Sequence, residues 1–382
     1  MIKTMFRLFG QALRDGAVPE PVDSLDRQAW EGLYKLSKKH DLAHLIGAAL
    51  KTVDLQMEED LQQAFDRAIN TAVLRYVKIN YDIETMIRAL EHAKIRFLPL
   101  KGSVIRKYYK EPWLRTSCDI DFLVAEADLE RAKEIFVNEL HYTYESAWNY
   151  EVSFVTPSKT HIELHHVLSD DDNAINAVLV EVWERSAPRE GYSFYYEMSD
   201  EMYYFYHIAH MVKHFVNGGC GIRPFLDIWV LNHGAPLDRE KREALLQRAG
   251  LLQFAKAAEQ LADVWVDGAP HTALTEALEQ FILTGGTYGT VENRVAVQQV
   301  MTGGKTSYIL SRIFLPYDQL KLTFPALEKR KWLYPFYQVK RWFRLFGKGK
   351  AKRSMNEVKT TSSVTTDEHR KTTDLLKELG IK

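Results

Sequence analysis

The stretch Leu98-Pro99-Leu100-Lys101-Gly102-Ser103, followed downstream by Asp119-Ile120-Asp121-Phe122-Leu123-Val124, decides how this chain is read. The first is a short apolar strand stopped by a Lys-Gly-Ser turn. The second is an apolar strand that opens with an acid pair. Side chains at i and i+2 of a strand share a face, so Asp119 and Asp121 point the same way from the end of a buried strand. Two ionised carboxylates about 4 Å apart repel by roughly 4 kcal/mol at an effective dielectric of about 20. The pair therefore requires a cation, a raised pKa or an exposed position, and a hard divalent ion meets the first requirement. A third acid stands in Thr160-His161-Ile162-Glu163-Leu164-His165, where Ile162 and Leu164 face one side of an alternating strand and Glu163 the other. Three acids from two strands can hold two metal ions. An isolated Asp-x-Asp is commonplace at exposed strand ends. What weights this one is the upstream strand ending in Leu100-Lys101-Gly102-Ser103, which opens a helix whose N-terminal amides can accept a phosphate. Gly102 lets the backbone approach closely.

Outward from this centre the hydrophobic period changes twice. From Ser24 to about Ala93 it is helical, with a long helix from about Glu59 to Leu90. Residues 95–170 read as strand, helix, strand, helix, strand, strand. From Asp200 helical spacing returns over 201–216, 224–232, 239–249, 251–266 and 272–284, separated by Gly, Pro or Asp. A further piece, 308–320, precedes a basic aromatic stretch. Residues 348–366, polar and rich in Lys, Ser and Thr, read as a disordered linker before a closing helix at 367–379.

Length and composition bound the function. The 382 residues allow two or three packed units, and 46% hydrophobic with 26% charged residues sets aside collagen-like, wholly disordered and disulfide-scaffold classes. Two cysteines, Cys118 and Cys220, make no disulfide framework and lack metal-site spacing, which favours a reducing compartment. The first twenty residues lack the apolar core of a signal peptide, and no apolar run reaches membrane-spanning length. The expected location is cytoplasmic. A net charge of −1 hides an uneven distribution: 329–353 holds ten Lys or Arg and no acid, which leaves −11 for the rest. Overall charge does not predict a DNA binder.

The run Leu98-Pro99-Leu100-Lys101-Gly102, with Tyr108-Tyr109, Pro112, Arg115 and Asp119 to Val124, resembles the uncharacterised nucleotidyltransferase family of the DNA polymerase beta superfamily. Gly102-Ser103 match that superfamily's turn, Asp119 and Asp121 its acid pair, and Glu163 its third acid. The sequence departs from the general pattern in having Lys-Gly-Ser where a second glycine is usual. The resemblance is specific over about 95–170 and loose beyond, at His210, Lys213, His214 and Pro224 to Asp227. It implies an α+β fold: a small mixed β-sheet core flanked by N-terminal helices and a helical C-terminal half. The expected organisation is 1–94 helical, 95–198 catalytic core, 199–325 helical, and 326–382 basic aromatic stretch, linker and terminal helix.

The resemblance also implies transfer of a nucleoside monophosphate from an NTP to a hydroxyl or phosphate acceptor, with pyrophosphate released. Asp119, Asp121 and Glu163 are the implied catalytic residues and metal ligands, holding two Mg²⁺, with Mn²⁺ as a substitute. Gly102 and Ser103 would contact the β and γ phosphates, and Lys101 and Arg115 are the cations expected to reach the triphosphate. Rival readings are a noncatalytic nucleotide-binding scaffold and a membrane-surface adaptor that keeps the fold.

Other features have plainer readings beside functional ones. His161, His165 and His166 surround Glu163, but His161 and His165 stand too far apart on a strand to chelate one zinc easily; His165 is expected beside the metal centre as a hydrogen-bond donor. His207, His210 and His214 share a helix face, where satisfied interface histidines outnumber functional ones. Gly218-Gly219-Cys220-Gly221 is a connector or a closing loop, and Asp227 a buried hydrogen-bonding partner. The aromatics Trp332, Tyr334, Phe336, Tyr337, Trp342, Phe343 and Phe346 could pack on the protein, lie on an anionic membrane or stack on RNA bases, with packing the default.

Overall fold

The computed structural model describes all residues except 16–24, 54–56, 149, 170–172, 288, 318–319, 322–323, 347–364 and 382. The linker expected at 348–366 thus lies outside the described residues but for its last two. The chain forms two compact units, Met1–Met211 with Ile222–Glu276, and Val212–Gly221 with Ala277–Lys382. The architecture is α+β, as expected.

The first unit is built on a five-stranded sheet in the order β1-β2-β5-β4-β3. Its strands are β1 (Phe97–Pro99), β2 (Asp119–Val124), β3 (Thr143–Ala147), β4 (Glu151–Val155) and β5 (His161–His165). The β2–β5 pair is parallel and the others antiparallel, so the sheet is mixed. Alternation sorts the side chains. Ile120, Phe122, Val124, Val152, Phe154, Ile162 and Leu164 share one face and are buried in a single core. Asp119, Asp121, Glu163 and His165 fall on the other face.

The apolar face is covered by α4 (Glu59–His92), a 34-residue helix with acids in its first turn and His92 in its last. Ile79, Ile83, Met86 and Leu90 recur at helical spacing and enter the sheet core. Burial of Met86 or Leu90 contributes about 2 kcal/mol each. Into the same core come Ala132 of α6 (Leu129–Glu134) and Ile135 and Phe136 of the π-helical turn that extends it. The end of α4 also fixes the segment beside β1: Glu91 accepts hydrogen bonds from the amides of Ser193, Phe194 and Tyr195. Phe97 then donates its amide to the Phe194 carbonyl at 3.0 Å, which keeps β1 from being an open edge.

Between β1 and β2 the chain makes α5 (Gly102–Ile105) and a 3-10 turn at Arg106–Tyr108, the helical segment expected after the Lys-Gly-Ser turn. The helices that complete the unit include α1 (Ile2–Leu13), α2 (Arg27–Lys39), α3 (Ala43–Leu50), α7 (Ala174–Leu179), α8 (Asp200–Val216), α9 (Arg223–Gly234), α10 (Arg239–Arg248) and α11 (Leu252–Asp267). α1 was not foreseen. It lays Met5, Leu8 and Phe9 into the core and stacks Phe6 on Trp265 at 5.0 Å. Gly10 allows the crossing, since a Cβ there would lie 2.4 Å from the Val266 carbonyl oxygen of α11. β3 and the small β6–β7 pair (Ser186–Pro188 with Tyr196–Met198) were likewise not anticipated.

Helix α12 (Ala273–Thr284) carries the chain into the second unit, which continues with α13 (Val291–Met301), α14 (Lys305–Ile313), α15 (Ala326–Lys329), α16 (Tyr334–Phe346) and α17 (Thr366–Glu378). α17 opens on a capping box between Thr365 and Glu368 and packs against α13. Leu320, Phe324 and Leu327 make a small core with Tyr334 and Tyr337 against it. No described helix is long and apolar enough to cross a membrane.

Candidate active site

The parallel register of β2 and β5 sets Asp121 opposite Glu163, and Asp119 opposite His161. Two like charges placed as register partners need a counter-charge, and the chain supplies Lys101. Its Nζ lies 2.5 Å from Asp121 Oδ1 and 3.3 Å from Glu163 Oε2. The backbone is bent to deliver it: Lys101 has φ of 47°, a left-handed conformation rare for a residue with a Cβ and costing about 1–3 kcal/mol. The Leu100 amide donates to the Asp121 carbonyl at 2.8 Å, and Tyr203 donates its hydroxyl to the Lys101 carbonyl at 2.6 Å, so both ends of the turn are held.

His165 closes the other side. It stands two residues past Glu163 on the same face, and its Nε2 lies 3.2 Å from Asp121 Oδ1 and 3.5 Å from Glu163 Oε2. Its Nδ1 faces Glu151 at 3.6 Å. One ligand atom each from Asp121, Glu163 and His165 lies within 4.8 Å of the others. This close group differs from the expected one: His165 takes the place given to Asp119. Asp119 remains on the same face but outside the group. His161 turns to Glu145, 3.0 Å away, and does not join a histidine pair.

The electrostatics follow from burial and neighbours. Burial opposes the Lys101 charge, yet Asp121 and the acids around it hold its pKa well above the ordinary lysine value. The hydrogen bond from His165 depresses the Glu163 carboxyl far below its usual range, against the effect of burial. Burial would lower the His165 pKa, but its bonds to Asp121 and Glu163 raise it instead. Asp119 is shifted up, first by burial and then by repulsion from Asp121, with Lys101 opposing. Glu151 is raised by burial and by Glu163.

The turn and Arg115 differ in outcome. Gly102 is buried, and a Cβ there would meet Ser117 Cβ at 3.1 Å and Arg115 Nη1 at 3.3 Å. The amides of Ser103 and Val104 are engaged within the turn, to the Leu100 and Lys101 carbonyls. The Ser103 hydroxyl is buried without a hydrogen-bond partner. Arg115, expected on the triphosphate, is turned inward. Its Nε and Nη2 grip both carboxylate oxygens of Asp227 at 2.8–3.0 Å, Nη1 donates to the Thr116 carbonyl, and Tyr109 donates to Asp227 at 2.6 Å. A fully buried aspartate of this kind demands a guanidinium, so Arg115 is taken up as a positioning residue behind the turn.

Of the other candidates, Asp227 is the buried hydrogen-bonding partner expected. His207 donates to the Pro224 carbonyl at 3.0 Å, and burial lowers its pKa. Cys220 is buried and Cys118 exposed, neither in a disulfide. Sequence reading missed Arg106, whose Nε donates to the Gly102 carbonyl and Nη2 to Ser117 Oγ, bracing the turn from behind.

A strand pair presenting two carboxylates and an imidazole on one face, beside a glycine turn, defines a polar site suited to a divalent cation and a polyphosphate. The donor set fits such an ion: two carboxylate oxygens and one imidazole nitrogen at mutual ligand spacing, the imidazole giving up its proton on binding, around a position where a positive charge is already favoured. The chain belongs to the uncharacterised nucleotidyltransferase family, whose model matches residues 26–267. No match was found among curated proteins or among solved structures.

Proposed function

We propose that the protein transfers a nucleoside monophosphate from an NTP to a hydroxyl or phosphate acceptor. An acceptor oxygen attacks the α-phosphorus, the bond from that phosphorus to the bridging oxygen of the β-phosphate breaks, and pyrophosphate leaves. Asp121, Glu163 and His165 would hold a divalent metal, Mg²⁺ or Mn²⁺, with Asp119 beside them completing a second position. Such a metal supplies charge neutralisation on the triphosphate and alignment of the in-line displacement. Glu163, held ionised by the His165 contact, is suited to stay a metal-holding carboxylate, and Lys101 to pass its ammonium from the acid pair to phosphate oxygens. The unpartnered Ser103 hydroxyl is suited to donate to a phosphate.

The single observation that carries this reading is the in-register facing of Asp121 and Glu163, bridged by Lys101. The test is incubation of purified protein with α-labelled NTP, Mg²⁺ or Mn²⁺ and a panel of acceptors. The reading expects label on an acceptor with the wild-type chain and none with Asp119→Ala combined with Asp121→Ala. Full labelling by the double variant ends it. The same Lys101 contact favours one rival, a nucleotide-binding scaffold without turnover, because an ammonium already neutralises the acids. Calorimetry separates the two: nucleotide affinity that is indifferent to divalent metal, with no pyrophosphate formed, supports the scaffold.

A further inference from the structure

The second unit presents a helix with two apolar faces. On α16 (Tyr334–Phe346), the inward face is satisfied by the protein. Tyr334 and Gln338 each donate to the Leu315 carbonyl at 2.5 Å, Trp342 Nε1 donates to the Ile313 carbonyl at 2.9 Å, and Arg341 donates to the Ile313 and Arg312 carbonyls. Tyr337 packs on Phe324 at 4.7 Å between ring centroids. The outward face is different. Trp332, just before the helix, is 75% exposed, Phe336 63%, Val339 44% and Phe343 74%. Phe336, Val339 and Phe343 stand at i, i+3 and i+7, which sets these three in one stripe, and Trp332 lies exposed in the 3-10 turn that leads into the helix. Large apolar side chains aligned this way on a surface mark an interaction site.

The charge beside the stripe narrows the partner. Lys331, Lys340 and Arg344 are exposed beside it, Lys340 and Arg344 over the Phe324 ring and Lys331 over the Tyr317 ring, and 329–353 holds no acid at all. A second copy of the same face would set these cations against themselves. Base stacking gives no use for Val339, and a polynucleotide long enough to wrap would meet a remainder carrying −11. A planar anionic surface touches one face alone. Aromatic side chains with flanking Lys and Arg on a helix whose other side is anchored suit the boundary between lipid headgroups and acyl chains.

We propose that this face docks the protein on an anionic lipid bilayer, with Trp332, Phe336, Val339 and Phe343 entering the headgroup boundary and Lys331, Lys340 and Arg344 meeting lipid phosphates. The site is distinct from the acidic strand pair and does not depend on nucleotidyl transfer.

The test is flotation of the full chain with vesicles of phosphatidylcholine alone and of phosphatidylcholine mixed with phosphatidylglycerol, alongside gel shift with a single-stranded RNA. Expected are flotation with the anionic vesicles, its reduction by added salt, and a partition coefficient about ten-fold lower or less in the Trp332→Ser, Phe336→Ser, Phe343→Ser variant. These side chains are exposed, and unchanged circular dichroism shows that the variant is folded. A second variant, Lys340→Glu with Arg344→Glu, is expected to lose the preference for anionic over neutral vesicles. Absence of flotation, equal flotation of wild type and the serine variant, or an RNA shift without vesicle binding overturns the proposal.

Discussion

Asp121 and Glu163 are register partners across the parallel β2–β5 pair, and both touch the Lys101 ammonium. Removal of one member of a buried charge group leaves the others uncompensated, at a cost of roughly 3 kcal/mol. Lys101→Met is therefore expected to lower the melting temperature in chelator. Added Mn²⁺ should then raise it by more than in the wild type, because the metal no longer competes with an ammonium. Thermal unfolding with and without metal reads this directly, and an equal metal-induced rise in both chains contradicts it.

His165 supplies a nitrogen to a site otherwise made of oxygens. Imidazole favours Mn²⁺ over Mg²⁺ relative to a carboxylate set, and loss of such a ligand costs about ten-fold or more in affinity. For His165→Ala we expect Mn²⁺ binding to weaken by at least about that factor, with a smaller change for Mg²⁺. Pulsed electron spin resonance of bound Mn²⁺ should show imidazole nitrogen coupling in the wild type and none in the variant. Coupling that survives the substitution assigns the nitrogen elsewhere.

Arg115 and Asp227 form a buried pair with Tyr109, away from the acid group. Arg115→Ala is expected to destabilise the fold by about 3–5 kcal/mol, and Asp227→Ala by a similar amount, since either leaves a buried charge alone. Denaturant titration checks both. A stable Arg115→Ala chain whose only defect is a raised KM for NTP would make the arginine a phosphate ligand after all.

Much of this site is legible in the sequence because strand alternation is a local property. Asp119, Asp121 and Glu163 could be put on polar strand faces from the period of their apolar neighbours alone. That Asp121 faces Glu163 depends on β2 pairing with β5 in parallel, which no local pattern encodes. His165 was expected beside the metal centre as a hydrogen-bond donor, and its i+2 spacing to Glu163 puts it on the same strand face, within the close group itself. Asp227, which claims Arg115, lies 112 residues away, so the diversion of that arginine is a tertiary fact. β3 was missed because Thr143-Tyr144-Glu145-Ser146-Ala147 is an edge strand whose side chains are nearly all exposed, leaving no alternation to read. α1 was missed although Met5, Leu8 and Phe9 have helix spacing; it packs against both α3 and α11.

Two histidines next to Asp41 set an acid limit on stability. His40 and His44 are buried, at 1% and 3% exposure, and burial lowers both pKa values from 6.5 to about 4, with the Arg223 charge acting in the same direction. His44 Nε2 donates to the Leu114 carbonyl at 2.8 Å, and neither ring nitrogen of His40 has a partner. Above pH 6.5 both states leave these groups neutral and they add no slope. Between 6.5 and 4 the unfolded chain binds protons that the folded chain refuses, so stability falls as pH falls, by on the order of 3 kcal/mol for each histidine. Denaturant midpoints across that window should decline in the wild type and less in His40→Phe. Identical slopes for the two chains count against the assignment.

The most direct test of the central claim is an anomalous difference map from crystals grown with Mn²⁺ and a nonhydrolysable NTP analogue. The account predicts a metal peak coordinated by Asp121, Glu163 and His165, the triphosphate beside the Gly102 turn, and Lys101 moved from the carboxylates to a phosphate oxygen. Metal and nucleotide bound elsewhere, with Lys101 still bridging Asp121 and Glu163, would contradict it.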